Sequence, residues 1–174
     1  GDMLNMDAFN ALQKEGKSFG NEVPLGIMVE TPAAAAMASL LAQECDFFSI
    51  GTSDLVQYTL VVDRGNSKIS GLYSHFHPAV LRLIQQTAQA AHEAGIWVGM
   101  CGEMAGDPLA TPLLVAMGFD ELSMSAPALP RVKERVRSLS RHGADELLAQ
   151  ALKLKESTAI RELLRRNMEQ ESES

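Results

Sequence analysis

Short apolar runs alternate along this chain with longer stretches in which apolar residues recur every three or four positions. That alternation predicts βα units around a parallel sheet. A helix is expected from about Met6 to Glu15, stopped by Gly16. Leu25–Val29 reads as the first strand. Thr31-Pro32 then opens a helix reaching about Glu44, with Thr31 as N-cap and Pro32 in the first helical position. Asp46–Ile50 is the second strand, and Asp54 to about Val62 a short helix. Gly65 to Ser74 reads as a loop. His77-Pro78 starts a long helix that Gly95 ends. Ile96–Met100 is the third strand, Cys101 to Pro108 a loop, and the next stretch a helix to about Met117. Glu121–Met124 is the fourth strand. Ser125-Ala126-Pro127 leads into a helix to about Ser138, and Ala144–Lys155 and Ser157–Met168 form two more.

Four strands do not close an eight-stranded barrel, which typically needs about 250 residues. An open sheet and half of a barrel both satisfy the pattern. The second would leave two sheet edges and one face uncovered. The length of 174 residues suits one domain or part of one, and 46% hydrophobic residues supply a sizeable core. With aromatics at 5%, that core rests on Ala, Leu, Val, Ile and Met. The chain opens on Gly1 rather than Met, and the expectation is a piece of a longer protein.

Charge narrows the partners. Fifteen Lys and Arg against 22 Asp and Glu give −7, with no basic stripe to replace phosphate counterions, so nucleic acid is not the expected partner. A small anion remains compatible, since it needs only local positive groups. No stretch reads as a signal peptide or a membrane span. Cys45 and Cys101 show no C-x-x-C spacing, and a reducing cytoplasm is the simpler home.

Reactive residue types sit just past the apolar runs, where parallel α/β folds assemble their sites. Glu30 follows Leu25–Val29, Asp54 follows Phe47–Ser53, and Cys101 follows Trp97–Met100. Arg64 lies ten residues after Asp54. Glu30 and Asp54 can share one Mg²⁺, an ion that takes oxygen ligands and keeps waters and substrate oxygens; the plainer reading is a pair of acids near helix starts. Gly51-Thr52-Ser53-Asp54 offers backbone N–H groups to an anion, or is an ordinary helix cap. Arg64 offers a fork-shaped phosphate donor, or pairs with Asp63 in solvent. Cys101, flanked by glycines at 99 and 102, can approach a ligand as acid or nucleophile, or be a buried structural thiol. Cys45 lies at a helix-to-strand junction at the opposite end of the sheet and reads as structural. His75 and His77 have a metal-like spacing without an evident third ligand; Pro78 favours helix entry for His77. His92 reads as a surface residue.

Taken together these segments resemble the phosphoenolpyruvate-binding barrel of enzyme I of the bacterial sugar phosphotransferase system. The resemblance is carried by Gly26-Ile27-Met28-Val29-Glu30-Thr31-Pro32, by the run from Asp46 to Leu60, and by Asp63-Arg64. It continues through Met100-Cys101-Gly102-Glu103-Met104-Ala105-Gly106-Asp107 and Ser123-Met124-Ser125-Ala126. Pyruvate phosphate dikinase and phosphoenolpyruvate synthase are similar around Ser49–Leu55, but the two later strings favour enzyme I. The resemblance implies the last four strands of a TIM-type barrel with extra C-terminal helices. It places a barrel core at about 24–140 and helices at about 144–168 within one unit, 1–174. It implies Mg²⁺ on Glu30 and Asp54, substrate contacts from Ser53, Asp54 and Arg64, and Cys101 as the acid that protonates pyruvate enolate at C3. It also implies a homodimer, a histidine-containing carrier protein as partner, a cytoplasmic location and no membrane partner.

Two positions depart from the family pattern. Ser53 stands where Asn is usual, and Val61 where a small residue is usual. The phosphohistidine domain and first half of the barrel precede the matched segment in the family, and no histidine here fits the phosphoacceptor motif. Alternatives are a non-catalytic dimerisation or binding module, a degenerate copy, and part of a dikinase- or synthase-like enzyme.

Overall fold

The computed structural model describes residues 9–18, 20, 23–63 and 72–172. A first helix, α1, covers 9–14, and Gly16 follows with a positive φ of 66°. Four strands then form one parallel sheet in chain order: β1 Gly26–Val29, β2 Phe47–Gly51, β3 Trp97–Cys101 and β4 Glu121–Leu122. Between and after them lie α2 Pro32–Ala36, α3 Ala38–Leu41, α4 Thr52–Leu60, α5 Pro78–Ala94, α6 Thr111–Met117, α7 Leu129–Ser138, α8 Arg141–Ala151 and α9 Ser157–Ser172.

Local chemistry sets several boundaries. Thr31 accepts a hydrogen bond from Ala34 N–H at 3.2 Å and starts α2, with Pro32 in the first turn. His77 Nδ1 accepts from Ala79 N–H at 3.2 Å and starts α5; Gly95, at φ 73°, ends it. The buried positions of α5 include Val80, Leu81, Ile84, Thr87, Ala88 and Ala91, one face of a helix. The buried Thr87 hydroxyl donates to Leu83 C=O at 2.8 Å, so it brings no unpaired polar group into the core.

Three expected elements differ. The single helix from Thr31 to about Glu44 is two pieces, α2 and α3, divided at Met37 (φ −98°, ψ 7°). Ala35, Ala38 and Ala42 are buried on both sides of the break. The expected fourth strand, Glu121–Met124, is shorter: only Glu121 and Leu122 pair with β3, and Ser123 N–H adds one bond to Met100 C=O before the chain turns away. The short helix starts at Thr52, so Ser53 and Asp54 belong to its first turn rather than to a loop before it.

The two faces of the sheet are unlike. Val29, Phe48, Ile50, Val98 and Met100 are buried against the helices, with the core extending into Leu81, Ile84, Leu113 and Leu114. The other face carries Met28, Phe47, Ser49, Trp97 and Glu121, with Met28 49% and Trp97 40% exposed. Phe47 stacks on Trp97 at 4.3 Å between ring centroids. A Cβ on Gly26 would lie 2.0 Å from the Phe47 ring, so the ring lies directly over that glycine. Helices on one face and a bare second face make this an α/β segment of TIM-type barrel architecture, whose strands turn one face inward.

Candidate functional site

The carboxyl ends of β1, β2 and β3 lie side by side, with Val29 beside Ile50 and Gly51 beside Cys101. Glu30 leaves the end of β1. A Cβ on Gly51 would lie 3.1 Å from Glu30 Cβ and 3.2 Å from Glu30 Oε2. Glycine at 51 therefore lets the Glu30 side chain lean across the end of β2. Asp54 is exposed in the first turn of α4, where the helix dipole favours its negative charge.

Thr52 is buried and donates its hydroxyl to Cys101 C=O at 3.0 Å, locking the ends of β2 and β3 together. Gly102 follows at φ +97°, and a Cβ there would lie 2.6 Å from Thr52 Oγ1. Position 102 thus needs glycine for its backbone and for its space. Cys101 itself is half-buried at the strand end; its Sγ lies 3.6 Å from Ile50 C=O and 3.9 Å from Ser49 Oγ.

Cys101 and Ser53 line a cavity of about 480 Å³ together with Gly102, Glu103, Ser123 and Ser125. The fold therefore brings together the segments around residues 53, 101 and 123, which are far apart in the chain. Glu30 and Asp54 are not among its lining residues; they stand at the neighbouring strand ends. Arg64 lies outside the described residues. Among the described residues, no group of three or more His, Cys, Asp or Glu gathers at metal-holding distance. Two carboxylates still suit Mg²⁺, which commonly completes its shell with water and substrate phosphate.

Cys45 behaves differently from Cys101. Its Sγ contacts Leu41 C=O at 3.4 Å and Phe47 C=O at 3.5 Å. Burial pushes its thiol pKa up, and the Asp46 charge adds to that; a backbone hydrogen bond at Phe47 acts the other way. A structural role fits both facts.

The histidines separate. His77 caps α5, as its neighbour Pro78 suggests. His92 is exposed and its Nε2 lies 3.0 Å from Gly118 C=O. His75 instead turns to Asp107, Nε2 to Oδ2 at 3.1 Å. Burial alone would raise the Asp107 carboxyl. The His75 hydrogen bond, the Leu109 N–H and the nearby cationic groups of His75 and Arg161 outweigh it, and the pKa falls below the ordinary range. Tyr73 donates its hydroxyl to Ser53 C=O at 3.0 Å. Thr52 belongs to the loop expected to hold an anion, but its hydroxyl is committed to Cys101 C=O; sequence spacing missed Tyr73 and Asp107.

A parallel βα sheet with a thiol, small polar groups and carboxylates at its strand ends is the scaffold of a barrel enzyme domain. The model of the phosphoenolpyruvate-binding domain of phosphoenolpyruvate-utilising enzymes matches residues 4–141, and the chain belongs to that family. It is 52% identical over 153 residues to a phosphoenolpyruvate-protein phosphotransferase of Haemophilus influenzae, covering 88% of this chain and 27% of the relative. Proteins of the same name from Staphylococcus aureus (48% over 141 residues, 81% and 25%) and Priestia megaterium (45% over 154 residues, 88% and 27%) are also similar. The chain thus spans about a quarter of the length of the curated relatives it matches.

Proposed function

We propose that this chain supplies the phosphoenolpyruvate site of a phosphotransferase that passes phosphate to its own histidine and then to a small histidine-containing carrier protein for sugar uptake. The observation that carries the reading is the convergence of Ser53 and Cys101 on one cavity, beside Glu30 and Asp54, in a chain of this family. The related proteins bear the phosphotransferase name, which favours this reading over a dikinase or synthase.

Glu30 and Asp54 would hold Mg²⁺, which supplies charge neutralisation for the phosphate and enolate oxygens. The N–H groups opening α4, the Ser53 hydroxyl and the Arg64 guanidinium bind the phosphate. When the O–P bond of the substrate breaks, phosphorus bonds to a histidine nitrogen outside this chain and pyruvate enolate is left. Cys101 gives its thiol proton to C3, completing pyruvate, and water reprotonates the thiolate. The bare sheet face supports a chain that works with further strands, and catalysis belongs to the longer protein. Within it, residues 1–174 would form one unit, with the barrel core at about 24–140 and the C-terminal helices at about 144–168. The same reading makes the longer protein a cytoplasmic homodimer joined through the barrel domain, with neither nucleic acid nor membrane as partner; no described helix is long and apolar enough to cross a membrane.

Labelling the full-length protein with phosphoenolpyruvate carrying radioactive phosphate tests this. Label should reach a histidine, and EDTA or Cys101→Ala should stop steady turnover to pyruvate. Turnover that survives both treatments contradicts the assignments.

A further inference from the structure

The short segment before α5 touches both loops that flank the cavity. Tyr73 reaches the β2–α4 junction through its 3.0 Å bond to Ser53 C=O. Two residues on, His75 reaches the β3–α6 loop through Asp107 at 3.1 Å. Ser53 and the residues Cys101, Glu103 and Gly106 line the cavity from those two sides.

The segment is built to be stiff. Ser74 accepts from Phe76 N–H through its hydroxyl at 3.2 Å and from His77 N–H through its carbonyl at 3.1 Å, closing a turn between the two contacts. Phe76 is fully buried. His75 packs on it at 4.3 Å between ring centroids, and Arg161 of α9 sits 5.2 Å from the Phe76 centroid. The far end is equally fixed. Asp107 accepts from Leu109 N–H at 2.9 Å, its carbonyl accepts from Ala110 N–H at 3.0 Å, and Met104 and Ala105 are fully buried.

We infer that Tyr73 and His75 are positioning residues that brace the two loops of the cavity at a fixed separation, Tyr73 holding Ser53 and His75 holding the Cys101–Asp107 loop through Asp107. That this cavity takes phosphoenolpyruvate rests on the function proposed above; the brace itself does not. With Asp107 ionised, His75 Nε2 is the donor, so a side chain that keeps one N–H in reach should serve in its place.

Amide hydrogen exchange in the full 174-residue chain without ligand tests the brace. Tyr73→Phe and His75→Ala should each speed exchange at the hydrogen-bonded amides of both segments, 56–60 of α4 and Asp107, Ala110 and Thr111 after β3, by about five- to tenfold, the scale of one lost hydrogen bond. His75→Gln should restore most of the protection. Faster exchange only in the segment whose own contact was cut overturns the proposal. So does an equal rise across α5 and β3, which marks general destabilisation, or a Gln variant no better than Ala. Adding phosphoenolpyruvate and Mg²⁺ to the unmodified chain is scored separately. Absent protection there counts against the substrate reading and leaves the brace result standing.

Discussion

Replacing Gly102 by Ala should cost this chain more than the same methyl group placed on a positive-φ glycine with open surroundings. The backbone term comes first: φ is +97°, and an L-residue held at positive φ costs about 1–3 kcal/mol. The contact term comes second. The new Cβ would lie 2.6 Å from Thr52 Oγ1 and 3.3 Å from Ser53 Oγ, so Thr52 must move. Its bond to Cys101 C=O is then lost, leaving the buried Thr52 hydroxyl without that acceptor at about 1–3 kcal/mol. Gly95→Ala isolates the first term, because φ there is +73° and nothing lies within 4 Å of the added carbon. Thermal unfolding by circular dichroism gives both values. At about 2–4 °C per kcal/mol for a chain of this size, the two terms together should make Gly102→Ala melt roughly 4–24 °C lower than the unmodified chain. It should also melt below Gly95→Ala. Equal melting temperatures for the two variants would refute the Thr52 lock between β2 and β3.

Three further outcomes are expected. Ser53→Asn restores a longer amide donor at the cavity wall. It should tighten phosphoenolpyruvate binding by about one to two decades, read by competition with a fluorescent analogue, if a charge-assisted bond of about 1.5–3 kcal/mol is regained. Val61 ends α4 in the left-handed region at φ 53° and is 86% exposed, so Val61→Gly removes strain without emptying the core. A gain of about 0.5–1 kcal/mol in urea unfolding is expected after the entropy cost of glycine. Asp107 has a lowered folded pKa, so its ionised form is held more tightly in the folded chain. That stability is present above the unfolded value near about 3.9 and is lost as pH falls through the lower folded value. Asp107→Asn should therefore destabilise the chain at neutral pH, and progressively less as pH falls through the lowered folded value, in paired urea titrations.

Much of the fold was legible because its signals are local. Thr31-Pro32 and His77-Pro78 open helices with their own side chains, and Gly95 and Gly118 close helices at positive φ. The break at Met37 was not legible. The run Ala33-Ala34-Ala35-Ala36-Met37-Ala38 contains no helix breaker, and the division follows from packing α2 and α3 against α5. In the site, strand-end placement pointed to Glu30, Asp54, Arg64 and Cys101, and the Gly51–Asp54 loop to Ser53; of these, Ser53 and Cys101 share a cavity, Glu30 and Asp54 stand beside it, and Arg64 lies outside the described residues. Spacing could not show that Thr52 bonds residue 101, that His75 meets Asp107, or that Tyr73 meets Ser53. Those contacts join residues 49, 32 and 20 positions apart and exist only once the loops fold together.

Calorimetric titration of this chain with phosphoenolpyruvate, with and without Mg²⁺, addresses the central claim most directly. Saturable heat that requires Mg²⁺ and vanishes in Glu30→Gln and Asp54→Asn is the predicted result. Heat that is unchanged by Mg²⁺ removal or by both substitutions, or no heat at millimolar substrate, contradicts a metal-assisted site assembled by these strand ends.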